Sequence, residues 1–205
     1  MQSKTGPRVL GVVGWSGSGK TTLLVRLIPL LVRRGLKVST LKHAHHAFDI
    51  DVPGKDSYEH RKAGAGEVLV FSGRRWALMH EVGVEPEPAL ADLLERLSPC
   101  DLILVEGFKS EPHAKLEVYR PALGKPALYP DDADVVVVAT DAALGRDAPP
   151  WADLNDIEAV AQLVLGSADQ SSSLGRALGN LDAATRGGIL AAMAGALAKD
   201  VYGAQ

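Results

Sequence analysis

The chain has 205 residues, of which 46% are hydrophobic and 23% charged, a composition typical of one globular domain with a sizeable core. Its formal net charge of -3 argues against binding nucleic acid or anionic membranes through bulk charge. Cys100 is the only cysteine, which excludes a disulfide framework, and no apolar run approaches the roughly 18 residues that span a bilayer, so we expect a soluble, cytoplasmic protein.

The first predicted elements are a short buried strand over residues 8–13 and a helix that continues beyond Thr22. The segment between them matches the phosphate-binding pattern GxxxxGK followed by Ser or Thr at every fixed position. Its glycines allow consecutive N–H groups to turn inward on a phosphate at the positive end of the helix. Lys20 would contact the β- and γ-phosphates, and the Thr21 hydroxyl would complete a Mg²⁺ shell. The predicted triphosphate site therefore comprises Gly14, Ser16, Gly17, Ser18, Gly19, Lys20, Thr21 and Thr22.

A second strand and a long polar loop follow. Gly35 marks the end of the first helix, and the predicted strand covers residues 36–42. The loop over residues 43–55 is long for a compact domain, and such loops are usually functional. Its chemistry leaves three interpretations open: a transition-metal site, a switch-like contact to phosphate, Mg²⁺ or another ligand, or a solvated loop. The side chains concerned are His43, His45, His46, Asp49 and Asp51.

The middle of the chain predicts a helix, a hairpin and another helix. Asp56 and Glu59 form a helix-start signal for a helix over residues 57–63. Strands over residues 67–72 and 75–81 are separated by a two-residue turn and predict a β-hairpin. A further helix is predicted over residues 88–97.

Two later strands, over residues 102–105 and 135–139, are entirely apolar, which indicates strands covered on both faces. The predicted fold is therefore α/β: a three-layer P-loop NTPase-type architecture, with a mostly parallel sheet, a β-hairpin addition and helices on both faces. In such sheets ligands bind beyond the carboxyl ends of the strands. Asn155 and Glu158 predict a capping box for a helix over residues 157–165.

The predicted domain organisation has three parts. Residues 1–166 form the P-loop nucleotide-binding domain, residues 167–180 a polar linker, and residues 181–205 an Ala- and Gly-rich C-terminal helical segment. Glycines weaken an isolated helix by about 1 kcal/mol each, so this last segment should need a surface on which to fold.

Further site residues follow the buried strands. Glu106 is the expected carboxylate for the Mg²⁺ shell and, with Lys20, the expected catalytic residue; the N–H of Gly107 would face the γ-phosphate. The chain lacks the Asn-Lys-x-Asp signature of ordinary GTPases, and Asp141 is the candidate to accept hydrogen bonds from guanine N1–H and the exocyclic amine. Cations next to these loops are candidates for phosphate contacts: Lys42, Lys55, Arg61, Lys62 and Lys109.

Five segments taken together resemble the molybdopterin-guanine dinucleotide biosynthesis adaptor family, MobB. They are residues 14–22, 42–46, 53–65, 75–79 and 101–109, and the likeness runs from about residue 9 to residue 165. The resemblance implies a GTP-binding P-loop protein with weak Mg²⁺-dependent GTPase activity that is chiefly an accessory protein and usually a homodimer. It also implies a role in molybdenum cofactor biosynthesis and hand-over, with molybdopterin guanylyltransferase and other molybdenum-cofactor proteins as partners.

An ATP-dependent P-loop kinase of a small metabolite or nucleoside is the alternative interpretation, with Arg120 as the arginine available to it. A transporter ATPase is disfavoured because the chain has no Leu-Ser-Gly-Gly-Gln run. ATPases with a signature lysine early in the loop are disfavoured because Trp15 stands at that position. No water-orienting Gln or arginine finger is evident, so any hydrolysis should be slow.

Overall fold

A computed structural model describes residues 7–44 and 48–170. The chain divides into two compact units, one made of Met1–His43 and Leu97–Gln205 and the other of Ala44–Arg96. The C-terminal helical segment predicted over residues 181–205 and most of the predicted linker lie outside the described residues.

The elements alternate between strands and helices along most of the chain. In chain order they are β1 (Arg8–Val13), α1 (Lys20–Arg33), β2 (Val38–Lys42), α2 (Asp56–Lys62), β3 (Glu67–Phe71), β4 (Trp76–His80), α3 (Leu90–Glu95), β5 (Leu102–Glu106), β6 (Lys115–Tyr119), a 3₁₀ turn (Pro121–Leu123), β7 (Val135–Thr140), β8 (Trp151–Asp153) and α4 (Ile157–Gln170). None of the helices among these described residues is long and apolar enough to cross a membrane.

The first unit contains a six-stranded sheet in the order β2-β5-β1-β6-β7-β8, and every neighbouring pair is parallel. Parallel pairing brings the carboxyl ends of all the strands to one edge. In register, Glu106 pairs with Val12 on one side and with Lys42 on the other. The predicted α/β fold, with its mostly parallel sheet and added hairpin, is confirmed.

Helices α1 and α4 pack on each other and share one apolar core with the sheet. Leu23, Leu27 and Leu31 repeat every four residues, so they lie on one stripe of α1, and each is at most 1% exposed. Burial of such a side chain contributes about 1.5–3 kcal/mol. The helix ends as predicted at Gly35, whose φ of 87° suits a glycine after a helix and whose N–H donates to Val32 O at 2.9 Å.

The predicted cap of α4 is wrong by one residue. The Asp156 carboxylate accepts the N–H of Ala159 at 3.0 Å, so Asp156 and not Asn155 caps the helix. Glu158, the other half of the predicted capping box, forms an ion pair with Arg34, the residue that directly follows α1. The helix continues to Gln170, so it extends into the segment predicted as a linker.

Two strands of the sheet, β6 and β8, are absent from the sequence prediction. β6 alternates charged and apolar residues, and both kinds are buried: Leu116 and Glu117 are each 0% exposed. β8 has only three residues, too few for a periodic pattern to show.

The second unit contains the predicted hairpin as a separate two-stranded antiparallel sheet. Leu69 pairs with Leu78 and Phe71 with Trp76, and side chains of directly opposite residues lie on the same face. These four side chains are 45–80% exposed, and we refer to them together as the apolar hairpin face.

Candidate nucleotide-binding site

The loop between β1 and α1 has backbone angles that only glycine adopts without strain. Gly14, Gly17 and Gly19 have φ values of 139°, 80° and 97°. A Cβ at Gly14 would also lie 2.5 Å from the carbonyl oxygen of Val118. Gly19 precedes α1 without a side-chain cap, and the first turn of the helix holds no acidic residue. The N–H groups of this helix end therefore stay available to an anion.

Lys20 lies over the loop. Its ammonium donates hydrogen bonds to the carbonyl oxygens of Gly14 and Trp15, both at 3.0 Å. Burial lowers the pKa of Lys20, Lys109 and Lys42 lower it further, and Glu106 opposes them. The ammonium is thus held in a partly desolvated, cation-rich place, where an arriving phosphate would stabilise its charge.

Ser18 supplies an observation that fits a phosphate ligand. Its hydroxyl is buried and has no hydrogen-bond partner within the described residues. Buried hydroxyls normally have a partner, so this oxygen is suited to a group that enters the loop. Ser16, Thr21 and Thr22 are exposed at the same end of α1 and are accessible to a ligand and its metal ion.

Glu106 ends β5, beside the loop. Its carboxylate forms an ion pair with Lys42 at 3.7 Å; the Glu106 side chain is 17% exposed and the Lys42 side chain 62%. At the following Gly107, φ is 105°, and a Cβ would lie 2.6 Å from the Cβ of His43. Only glycine fits there, and this brings the chain close to β2 immediately after the carboxylate.

Asp141 follows β7 on the other side of the loop. Its carboxylate accepts a hydrogen bond at 2.8 Å from Arg120 Nη1, and Arg120 Nε donates to the carbonyl oxygen of Ser18 at 3.0 Å. Sequence reasoning considered Arg120 only as a kinase residue and missed this link. Arg120 directly follows a strand, and that position could have marked it as a site residue. The sequence pattern did not predict β6, so this position could not be seen.

Trp15 contacts two neighbouring loops, the one that follows β5 and the one that follows β6. Its indole N–H donates to the Pro126 carbonyl at 2.8 Å. The ammonium groups of Lys109 and Lys125 lie 5.6 Å and 5.7 Å from its ring centroid, within range for cation–π attraction. Lys109 was a predicted phosphate contact, whereas Lys125 was not singled out from the sequence.

Strand β6 fixes these two loops from inside the fold. Lys115, 2% exposed, donates to Lys109 O at 2.7 Å and pairs with Asp132 at 2.9 Å. Glu117 accepts the N–H groups of Leu128 and Tyr129 at 2.8 Å and 3.0 Å. Burial raises the pKa of Glu117. These charged groups are buried with partners, as buried charges must be.

The polar loop after β2 is only partly within the described residues, because His45 and His46 fall outside them. His43 packs its ring on Phe108, with centroids 4.9 Å apart. In the second unit, Arg61 binds Asp49 at 2.8 Å and Asp51 at 3.4 Å. Arg61 also binds Glu81, so this cation is engaged by carboxylates within its own unit. No cluster of three or more metal-ligating side chains occurs among the residues described.

The predicted site residues of the first unit therefore lie along one edge of the sheet. In sheet order, the strand ends carry Lys42 on β2, Glu106 on β5, the loop with Lys20 after β1, Arg120 after β6 and Asp141 after β7. Lys55 and Lys62 belong to the other unit.

Comparison with known proteins gives a consistent set of relatives. A family model described as molybdopterin guanine dinucleotide synthesis protein B matches residues 9–141. A molybdopterin-guanine dinucleotide biosynthesis adapter protein of Escherichia coli (strain K12) is 47% identical over 168 residues, which cover 80% of this chain and 95% of the relative. One of the same name from Haemophilus influenzae is 42% identical over 159 residues, 76% of this chain and 86% of the relative.

Solved structures agree with these sequence relatives. A crystal structure of molybdopterin-guanine biosynthesis protein B is 29% identical with a TM-score of 0.63, covering 78% of this chain and 99% of that one. A MobB homolog from Bacillus stearothermophilus is 26% identical with a TM-score of 0.55, covering 80% of this chain and 99% of that one.

Proposed function

The chain belongs to the molybdopterin guanine dinucleotide synthesis protein B family, and from this premise we propose that it is a GTP-binding adaptor with weak GTPase activity. It acts in molybdenum cofactor biosynthesis, as the names of its relatives indicate. It assists the formation and hand-over of molybdopterin guanine dinucleotide and works in the cytoplasm.

The observation that carries the proposal is the arrangement around the loop. An uncapped helix end, a partly desolvated ammonium and a buried hydroxyl without a partner among the described residues meet where three glycines hold the backbone open. Each of these features is suited to a phosphate group. The neighbouring strand ends then supply a carboxylate on each side of the loop, from Glu106 and from Asp141.

Each side chain has a distinct part in the proposal. The loop amides and Lys20 bind the β- and γ-phosphates, and the N–H of Gly107 meets the γ-phosphate. Thr21 and Glu106 hold Mg²⁺, which when bound neutralises phosphate charge. Lys42 is exposed and 3.7 Å from Glu106; with Mg²⁺ bound to that carboxylate, Lys42 would be available to bind phosphate.

Asp141 selects the base. Its carboxylate accepts hydrogen bonds from the guanine N1–H and the exocyclic amine, whereas adenine presents an acceptor at N1. The ends of β1 and β7 are separated by two inter-strand spacings, about 10 Å, a gap that a ribose and an α-phosphate can bridge.

Hydrolysis is slow in this proposal. Lys20 and the loop amides would stabilise the transferring phosphoryl group, and Mg²⁺, if bound, would supply further positive charge. Arg120 is already bound to Ser18 and Asp141, so it does not serve as an arginine finger. We expect turnover of about 10⁻⁴ to 10⁻² per second without a partner. A rate above about 1 per second for the isolated protein would contradict this.

The protein is proposed to act as a homodimer and to bind molybdopterin guanylyltransferase. An isolated two-stranded hairpin is marginally stable in water, and the apolar hairpin face is 45–80% exposed along both strands. A second copy of the chain that covers this face would remove it from water.

The test is a calorimetric titration with slowly hydrolysed GTP and ATP analogues, each with and without Mg²⁺. We expect tighter, Mg²⁺-dependent binding of the GTP analogue and loss of binding in Lys20→Ala. Wild-type protein is then tested for complex formation with molybdopterin guanylyltransferase in the presence of each analogue. Equal or better binding of the ATP analogue would favour a small-metabolite kinase instead.

A further inference from the structure

Arg120 joins two parts of the site that serve different ends of a nucleotide. It follows β6 directly, between the loop after β1 and the end of β7. Nε donates to Ser18 O at 3.0 Å and Nη1 to the Asp141 carboxylate at 2.8 Å. One planar guanidinium therefore links the phosphate-binding loop with the candidate base-binding carboxylate.

We propose that Arg120 is a positioning residue for guanine specificity, which holds the Asp141 carboxylate at a fixed place relative to the phosphate-binding loop. The inference rests on the proposed function, because it assigns Asp141 to the base. A carboxylate on a short side chain can rotate between several orientations, and only some face the base. A charge-assisted hydrogen bond from a half-buried arginine selects one of them.

The geometry favours this role over a direct contact with phosphate. The Arg120 side chain is 36% exposed and that of Asp141 28%, so both are partly accessible to solvent. Two of the guanidinium nitrogens are already committed to Ser18 and Asp141. An arginine suits this bridge because its donors are fixed in one plane, whereas the lysine ammonium is a point charge on a flexible stem.

The position of Arg120 against the start of α1 supports the same assignment. Arg120 Nε would lie 3.7 Å from a Cβ at Gly19, so the guanidinium rests on the backbone just before α1. Any shift of this backbone therefore moves the group that orients Asp141. Base and phosphate binding become coupled through a single side chain.

The experiment compares the ratio of GTP to ATP affinity in wild-type protein and in Arg120→Gln, with Mg²⁺ and slowly hydrolysed analogues. We expect Arg120→Gln to lower this ratio about tenfold, since a charged hydrogen bond that orients the base contact is lost. Arg120→Lys keeps the charge and should retain part of the ratio. Arg33→Gln, at the opposite end of α1, is the matched control and should leave it unchanged.

A double-mutant cycle with Asp141→Asn identifies the route of the effect. The asparagine amide can donate a hydrogen bond to the C2 carbonyl of xanthine, which stands where guanine has its exocyclic amine. Asp141→Asn should therefore shift the preference from GTP towards xanthosine triphosphate (XTP). In that background Arg120→Gln should change the GTP-to-ATP ratio much less than in wild type. Equal effects in both backgrounds would show that Arg120 does not act through Asp141 and would overturn the inference.

The remaining outcomes separate the inference from the proposed function. If wild type prefers GTP and Arg120→Gln weakens GTP and ATP equally, Arg120 only holds the loop and the inference alone fails. If wild type shows no preference for GTP, the guanine assignment fails and the inference with it. If Arg120→Gln does not fold, as judged by circular dichroism, the same ratio is measured in Arg120→Lys, and an unchanged ratio there overturns the inference.

Discussion

At the scale of single residues, Lys20 combines burial with a positive neighbourhood. Burial, Lys109 and Lys42 all lower its pKa, so the free protein loses this charge at a lower pH than an ordinary lysine does. A bound triphosphate favours the charged form and raises the pKa again. Binding is therefore strongest below the lowered pKa and weakens as pH rises through it.

We accordingly predict that nucleotide affinity falls as the pH rises through the lowered pKa of Lys20, in a range where the γ-phosphate is already fully ionised. The measurement is a calorimetric Kd at several pH values, with circular dichroism at each pH as a control for folding. An affinity that stays constant over this range would show that Lys20 is not coupled to the phosphates.

Gly107 gives a second prediction at this scale. Its φ of 105° and the 2.6 Å approach of a Cβ to His43 leave no room for a side chain. Gly107→Ala should lower the free energy of unfolding by about 1–3 kcal/mol and weaken Mg²⁺-dependent binding, because the strain falls beside Glu106. Gly145→Ala is the matched control, since a Cβ there meets no atom within 4 Å. Urea unfolding of both variants checks the prediction, and equal stabilities would contradict it.

At the scale of elements, β6 determines how the loops around the site are held. Glu117→Ala would leave the N–H groups of Leu128 and Tyr129 without their acceptor. Burial raises the pKa of Glu117, so its carboxylate carries a desolvation cost, which these two bonds offset. Without the carboxylate, two part-buried N–H donors lose their partner in the loop that contains Pro126.

We expect Glu117→Ala to lower the free energy of unfolding by about 1.5–3 kcal/mol. The exposed Asp147→Ala, in the same unit, is the control and should change stability by less than about 0.5 kcal/mol. Urea unfolding monitored by circular dichroism measures both. A Glu117→Ala protein as stable as the control would mean that the buried carboxylate contributes nothing net.

The same strand shows where sequence reasoning reaches its limit. β1, β5 and β7 were predicted because apolar runs bounded by glycine or acidic residues indicate buried parallel strands. In β6, Lys115 and Glu117 alternate with Leu116 and Val118. The two charges are buried only because partners distant in sequence meet them, and a sequence pattern cannot supply those partners.

The site, like the sheet, was predictable where it depends on a motif or on a strand that the sequence pattern reveals. The loop, Lys42, Glu106 and Asp141 follow from motif and from position after predicted strands, and the fold brings them to one edge of the sheet. The bridge made by Arg120 was not predictable, because it depends on placing β6 between β1 and β7. The cap of α4 was missed by one residue because Asn155 and Asp156 are both good caps, and only the geometry distinguishes them.

At the scale of the whole molecule, the apolar hairpin face leads to a prediction about assembly. Replacing Phe71 and Trp76 together by serine removes its two most exposed side chains. If a second copy covers this face, the double variant should be monomeric at concentrations where wild type is dimeric, as measured by light scattering after gel filtration. Val25→Ser, an exposed apolar residue on α1, is the control and should leave the mass unchanged. A dimeric double variant would contradict the assignment.

The environment of Trp15 makes the protein suited to optical study. Trp15 belongs to the phosphate-binding loop, and an ammonium group lies within 6 Å of its ring from each of two neighbouring loops. Indole emission responds to nearby charge, and a triphosphate entering the loop would change the field of both cations. With Trp76→Phe and Trp151→Phe the chain would keep one tryptophan, so its emission spectrum becomes a label-free readout of nucleotide arrival and departure.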